Sequence, residues 1–377
     1  MDERLSGLRV LLTTDAVGGV WTYSLDLARE LGRNGIETVL AVLGPPPGDA
    51  AREAALAVPG LELVTTGLPL DWTAETSEEV LEAGVRLGHL ARQQHCALVQ
   101  LHAPALAAAR SFDVPMIAVH HSCLATWWQA MKPADADMPE DFRWRSALVA
   151  RGIAAVSQLV APTTAHAHAI ARAYSLSSPP LVIRNGRAPA PPPADVADEP
   201  PPFVFSSGRL WDEAKNFARL DRAAALIDTT VVAAGEAAGP GGQTISLPAL
   251  RLLGGLSEEK MRQWLPLARA YVSVALYEPF GLGVLEAAQA GSPLVLSDIP
   301  SFRELWAGAA LFVPADDEQA IARALTQVVS DEGLRSRLSR RAHYRAVLYS
   351  AEMMGREMMR LYALRLRLHR PRRERAA

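Results

Sequence analysis

Residues 189–202 contain seven prolines and almost no large apolar side chain. Such a stretch cannot be a helix interior or a central strand, because proline lacks the backbone donor that both need. It reads as an extended linker over residues 188–202. On both sides of it, short apolar runs alternate with segments of helical period. Before it, residues 8–14, 38–43, 61–64, 97–101, 116–119, 153–156 and 181–183 read as strands, with helices from Val20 toward Gly32 and from Ser77 to about His95. The remainder of 45–69 reads as loop. After it, residues 203–206, 230–233, 251–253, 270–276 and 293–296 read as strands, with helices near 216–227, 257–268, 282–290, 301–306 and 318–330 and a long last helix over about 334–364. Strands alternating with helices call for parallel sheets covered on both faces, so the expected class is α/β with two doubly wound domains, 1–187 and 203–344.

The chain of 377 residues is long enough for both. A formal net charge of -3 argues against general nucleic-acid binding. Cys96 and Cys123 are the only cysteines and lie in no disulfide framework or zinc pattern, which fits a reducing cytoplasm. His166 and His168 are two apart, so they do not share a helical face and no metal is assigned to them. No uninterrupted apolar run reaches the roughly 18 residues of a spanning helix, so any membrane contact is expected to be peripheral.

Four places combine turn chemistry with polar side chains at a strand end, where open α/β sheets bind ligands. The first is Asp15-Ala-Val-Gly18-Gly19-Val20, whose paired glycines permit either a tight turn or close approach of a bound group. Its spacing is not the dinucleotide fingerprint. The second is Val119-His120-His121. The third is Gly208-Arg209-Leu-Trp-Asp-Glu-Ala-Lys215-Asn216. The fourth is Tyr277-Glu278-Pro279-Phe280-Gly281-Leu282-Gly283-Val284-Leu285-Glu286, in which Glu278 falls in the turn and Glu286 in the second turn of the helix. Trp127, Trp128 and Met131 form an aromatic stretch that reads either as packing beneath a loop or as a platform for an apolar acceptor or membrane interface.

Two glutamates at this spacing, with Phe-Gly after the first and Ala290-Gly-Ser-Pro-Leu-Val after the second, resemble the signature of retaining glycosyltransferases of family 4. The other three motifs follow in the family's order, so the resemblance covers nearly the whole chain. It implies the GT-B architecture, two Rossmann-like domains facing across a cleft, with the final helix, about 345–377, returning to the N-terminal domain. The implied activity is transfer of a sugar, with retained anomeric configuration, from a nucleotide-diphosphate donor to a glycan or lipid-linked acceptor in surface or extracellular polysaccharide synthesis. The implied catalytic residues are Glu278, His120, Arg209 and Lys215. Donor binding falls to Gly18, Gly19, Arg209, Lys215, Phe280, Gly281, Leu282 and Glu286. Of the adjacent histidines, His120 directly follows the strand and is the one matched to the family's position near the transferring sugar. Arg209 and Lys215 would neutralise the diphosphate, Glu286 would accept ribose hydroxyls and Glu278 would bind the sugar.

No cofactor or metal is expected, since no Asp-x-Asp motif stands in these segments and the two cations can take the metal's place. A non-hydrolysing nucleotide-sugar epimerase, a nicotinamide oxidoreductase and a catalytically silent nucleotide-sugar-binding protein are the competing readings. From residue 360 to 377 there are seven arginines and one glutamate. This run is either a solvated end or a peripheral contact with anionic lipid at the inner face of the cell membrane.

Overall fold

The computed structural model describes residues 5–16, 18–189, 201–239 and 242–369. Most of the proline-rich segment lies outside them, as do Arg370, Arg372, Arg373 and Arg375. The chain forms two compact units: residues 1–186 with 351–377, and residues 187–350.

The first unit is built on seven parallel strands: β1 (Arg9–Asp15), β2 (Glu37–Leu43), β3 (Leu61–Thr65), β4 (Leu98–Leu101), β5 (Met116–Val119), β6 (Gln158–Ala161) and β7 (Leu181–Val182), in the order β3-β2-β1-β4-β5-β6-β7. The second carries β8 (Phe203–Ser207), β9 (Thr230–Ala234), β10 (Leu250–Leu252), β11 (Ala270–Ser273), β12 (Leu294–Ser297) and β13 (Ala310–Val313), in the order β10-β9-β8-β11-β12-β13. Each order reverses once, between β1 and β4 in the first sheet and between β8 and β11 in the second, which creates the crevice where doubly wound sheets bind ligands.

Alternate strand residues serve opposite faces. Val10 and Leu12 join one apolar cluster with Tyr23, Leu27 and Leu31 of the helix Gly19–Arg33, and Met354, Met358, Leu361 and Tyr362 of the helix Ala351–His369. Leu11 joins the cluster on the other face with Val39, Val99 and Leu106. In the second unit Phe203 and Phe205 face Trp306 and Leu285, while Val204 faces Phe217, Leu220 and Ile321. Burial on both faces explains why these strands read as unbroken apolar runs rather than alternating ones.

Several sequence expectations are corrected. Residues 153–156 are the end of the helix Glu140–Ile153 and the turn after it, and the strand is β6, a few residues later. A short apolar run cannot be told from a buried helix end by period alone. The stretch 45–69 holds a helix, Asp49–Leu56, that buries only Ala55 and therefore leaves almost no amphipathic signal. The double tryptophan lies on a helix, Leu124–Met131. β13 is a further strand, on a stretch to which the sequence reading assigns no element. The long last helix is two, Glu332–Ala346 and Ala351–His369, separated by a tight turn at Val347–Tyr349 and an extended Ser350 with ψ of 153°. Tyr349 is buried in the second unit, edge-on to Phe280 and Trp306, whereas Ala351 and Met354 are buried in the first. Two different cores thus override a continuous helical pattern.

Candidate active site

In the second unit the loop after β8 and the loop after β11 are tied to each other. Asp212 accepts hydrogen bonds from Ala214 N at 3.0 Å and from Arg209 Nη2 at 2.6 Å, fixing the turn Glu213–Lys215. Asn216 adopts a left-handed conformation with φ of 61°, and its amide donates to the carbonyls of Val274 and Ala315 at 2.9 and 2.8 Å. Leu276 N donates to Ala214 O at 2.8 Å. This lattice brings Lys215 Nζ to 2.5 Å from Glu278 Oε2, with both side chains about four-fifths buried. The carbonyl of Glu278 accepts from Ser301 Oγ at 2.5 Å. Arg209 remains half exposed, its guanidinium 5.7 Å from the Trp211 ring.

Beyond Glu278 the chain turns at Gly281, the N-cap of the helix Leu282–Gln289. Gly283, in the first turn, needs its hydrogen: a Cβ there would sit 2.7 Å from Tyr271 Oη and 3.2 Å from Ser207 Oγ. Those two hydroxyls are 3.0 Å apart. Burial, and secondarily the carboxylates of Glu286 and Glu278, push the Tyr271 phenol well up, so it stays protonated. Glu286 Oε1 lies 3.0 Å from Nε of the buried Arg187, whose Nη2 reaches Glu258 Oε1 at 2.7 Å. Burial pushes the Glu258 carboxyl up, but the Arg187 charge and the hydrogen bond and charge of Arg262 outweigh it and hold it below the usual range. Arg187 also donates its backbone N–H to Tyr349 O at 3.1 Å and accepts at its carbonyl from Gln289 Nε2 at 3.1 Å. It orients the carboxylate on which ribose recognition is expected to rest. Sequence reasoning missed it, because its partners lie 71 and about a hundred residues away.

In the first unit the switch point is built differently. Gly18, with φ of 83°, caps the helix Gly19–Arg33 and gives its N–H groups an approach without a side chain. His120 ends β5, buried, with its backbone N–H donating to Val160 O at 2.8 Å and Nδ1 3.1 Å from His166 Nε2. Its Nε2 and that of His121 are buried without a hydrogen-bond partner among the described residues. His121, His102 and Tyr23 pack edge to face, with ring centroids 4.7–5.2 Å apart. Burial and then the neighbouring imidazoles push His121 down to about 3 and lower His102 and His166 well below the ordinary histidine value, so these three are neutral at physiological pH. Cys123 Sγ lies 3.0 Å from Tyr174 Oη. Burial raises its thiol, but the electrostatic pull of His120 and the contacts with the Thr126 and Tyr174 hydroxyls outweigh it and bring it to about 7. Among the described residues no three His, Cys, Asp or Glu side chains gather as ligands for a metal. Trp127 and Trp128 are half-buried against Phe142, with centroids at 6.2 and 5.6 Å.

Residues 17–190 match the family described as Glycosyltransferase Family 4, and residues 192–345 match Glycosyl transferases group 1. The chain belongs to the group 1 glycosyltransferases. Its two α/β units match solved structures of GT-B glycosyltransferases in fold. Among relatives, it is 33% identical over 116 residues to the phosphatidyl-myo-inositol mannosyltransferase of Mycolicibacterium smegmatis, a match spanning only 30% of either chain. It is 27% identical over 318 residues to the protein of the same description from Propionibacterium freudenreichii, covering 76% of this chain and 75% of the relative. Among solved structures, Anabaena HepE in complex with UDP-glucose superposes with a TM-score of 0.70 at 18% identity, covering 94% of this chain and 99% of HepE.

Proposed function

We propose that this group 1 glycosyltransferase moves a sugar from a nucleotide-diphosphate donor to a hydroxyl of a glycan or lipid-linked acceptor, with retention of anomeric configuration. The observation that carries the reading is the Lys215–Glu278 pair at the switch point of the second sheet, with Arg209 half exposed on the loop beside it. A diphosphate entering there offers Lys215 a stronger anionic partner than Glu278 and frees that carboxylate for sugar hydroxyls. In the transfer step the acceptor oxygen bonds to the anomeric carbon as the bond from that carbon to the phosphate oxygen breaks. The acceptor's proton passes to the leaving phosphate, and the nucleoside diphosphate departs. Arg209 and Lys215 stabilise the charge that grows on it without a divalent ion, and their fixed positions keep the reorganisation small. Glu286, held by Arg187, accepts the ribose hydroxyls, as one carboxylate can from two donors. Gly18 and Gly19 offer backbone N–H groups to the donor, and His120 is assigned to the transferring sugar by the resemblance.

The binding of UDP-glucose by HepE and the two mannosyltransferase relatives support a nucleotide-hexose as donor class. Thermal-shift screening of UDP-, GDP-, ADP- and dTDP-sugars, followed by an NMR time course with an acceptor and chelator present, tests the reading. A stabilising donor, a retained anomeric configuration and turnover that survives chelation are expected. If no nucleotide sugar raises the melting temperature, the donor assignment fails; if the product is inverted, the mechanism fails. Donor consumption without an acceptor would favour epimerisation, and binding with no turnover would favour the silent sensor.

No helix among the described residues is long and apolar enough to cross a membrane. Work at the inner face of the cell membrane, on a growing surface polysaccharide, rests on the basic C-terminal run. Within that run Arg365 already donates to Gln158.

A further inference from the structure

Residues 333–350 carry five arginines and neither an aspartate nor a glutamate. In the helix Glu332–Ala346 the inward stripe is Leu334, Leu338, Ala342 and Ala346, which leaves Arg337, Arg340, Arg341 and Tyr344 on the outward one. Two arginines are spent on the fold: Arg341 Nη1 donates to Gly308 O at 3.3 Å, and Arg345 donates to Leu305 O and Ala307 O at 3.1 and 3.2 Å. They satisfy carbonyls at and just after the C-terminus of the helix Pro300–Trp306. Arg337 and Arg340 have no ion-pair or hydrogen-bond partner among the described residues. All four guanidinium side chains, with Tyr344 and residues 307–309, line an open depression of about 630 Å³.

The outward stripe does not end with the helix. It continues into Val347 and Leu348, 63% and 56% exposed, next to Tyr344 at 79%. Soluble surfaces intersperse acids among their bases and rarely cluster bare aliphatic side chains. This surface does neither. A free phosphate would suit the arginines but leave the aliphatic residues in water. An anionic bilayer suits both, with phosphates against the guanidinium groups, Tyr344 at the headgroup level and Val347 and Leu348 in the acyl boundary.

We propose that this face of the second unit, centred on Arg337, Arg340, Tyr344, Val347 and Leu348, docks on an anionic membrane surface. The inference stands apart from the sugar-transfer reading, because lipid binding is measured without donor or acceptor. Co-sedimentation of the full chain with vesicles of phosphatidylcholine, alone or mixed with phosphatidylglycerol, tests it, with thermal melts confirming that each variant is folded. Binding is expected only to the mixed vesicles, weakened about thirtyfold in the Arg337→Gln/Arg340→Gln variant through loss of two surface cations. A several-fold weakening is expected in Val347→Ser/Leu348→Ser, and little competition from inorganic phosphate. Wild-type binding by the arginine variant overturns the proposal, as does loss of binding only when residues 370–377 are deleted. Full competition by inorganic phosphate with no effect of the serine variant would mark a soluble-anion site instead.

Discussion

At the carboxyl ends of β1 and β4 the first unit gathers neutral imidazoles around Tyr23, whereas the corresponding ends of β8 and β11 in the second unit carry paired charges. Apart from the additional β7 at the edge of the first sheet, the strand order is the same in both, so topology alone does not decide which chemistry fills the crevice. Charge density does. A site for a diphosphate needs cations that exist before the ligand arrives, and these are kept near carboxylates that a stronger anion can displace. A site for hydroxyl groups needs donors and acceptors without net charge, which buried histidines supply once desolvation has stripped their protons.

The sharpest break of this contrast is Lys215→Ala, expected to lower kcat/KM for the donor by about 10²–10³, the usual loss when one preorganised stabiliser of transition-state charge is removed. Unchanged kcat/KM would show that the charged crevice is not the phosphate site. The neutral crevice is probed by acid. His121 titrates near 3 when folded but near 6.5 when unfolded, so its contribution is flat above that upper value. Stability is lost as pH falls from 6.5 toward 3, by about 1–2 kcal/mol at pH 5 from this residue, with His102 and His166 adding in the same direction. Urea midpoints between pH 7.5 and 5 should fall less steeply in His121→Gln than in the parent; equal slopes would sink the assignment.

The glycines of the two crevices should also separate by cause. Gly283→Ala puts a methyl against Tyr271 and is expected to cost about 1–3 kcal/mol. Gly18→Ala meets open space, and its expected cost of about 1–3 kcal/mol is all backbone, because φ of 83° with ψ of -148° is a conformation that only glycine adopts readily. A Gly18→Ala variant that melts like the parent would contradict the backbone demand at that turn, and a Gly283→Ala variant that does so would contradict the crowding against Tyr271. The smallest effect is chemical. Alkylation of Cys123 should rise with a midpoint near pH 7, while burial, against a smaller opposing pull from Arg9, holds the Cys96 thiol near 11. Mass spectrometry at pH 8 showing both cysteines labelled equally would contradict the influence of His120.

What could be read in advance was what local rules govern. Phe-Gly after Glu278 and Lys-Asn at 215–216 are turn chemistry, and the structure joins those two turns through Asn216 and Lys215. Arg187 was illegible for the opposite reason. Its meaning comes from Glu258 and Glu286, and no local period or spacing marks a residue that acts at such separations. The histidine cluster lay between these cases. His120 stood out at a strand end, but His102 and His166 acquire their character only from burial, the first beside His121 and the second beside His120. The helix Glu140–Ile153 was lost because its packing on the turn Pro104–Ala109, where Gly152 has no room for a side chain, is a tertiary demand.

The crossing of the chain between units after Gly186 and again after Ser350 has a consequence for how the protein is made. The first sheet can form as soon as β7 leaves the ribosome, yet the helix Ala351–His369, which covers Tyr23 and Leu27 with Met354, Met358 and Leu361, does not yet exist. At ordinary elongation rates that apolar face waits roughly 10–40 s while the whole second unit is synthesised. The nascent chain is therefore expected to spend its most exposed interval with one domain complete except for its cover, which makes that face, rather than either crevice, the natural landing place for a chaperone during synthesis.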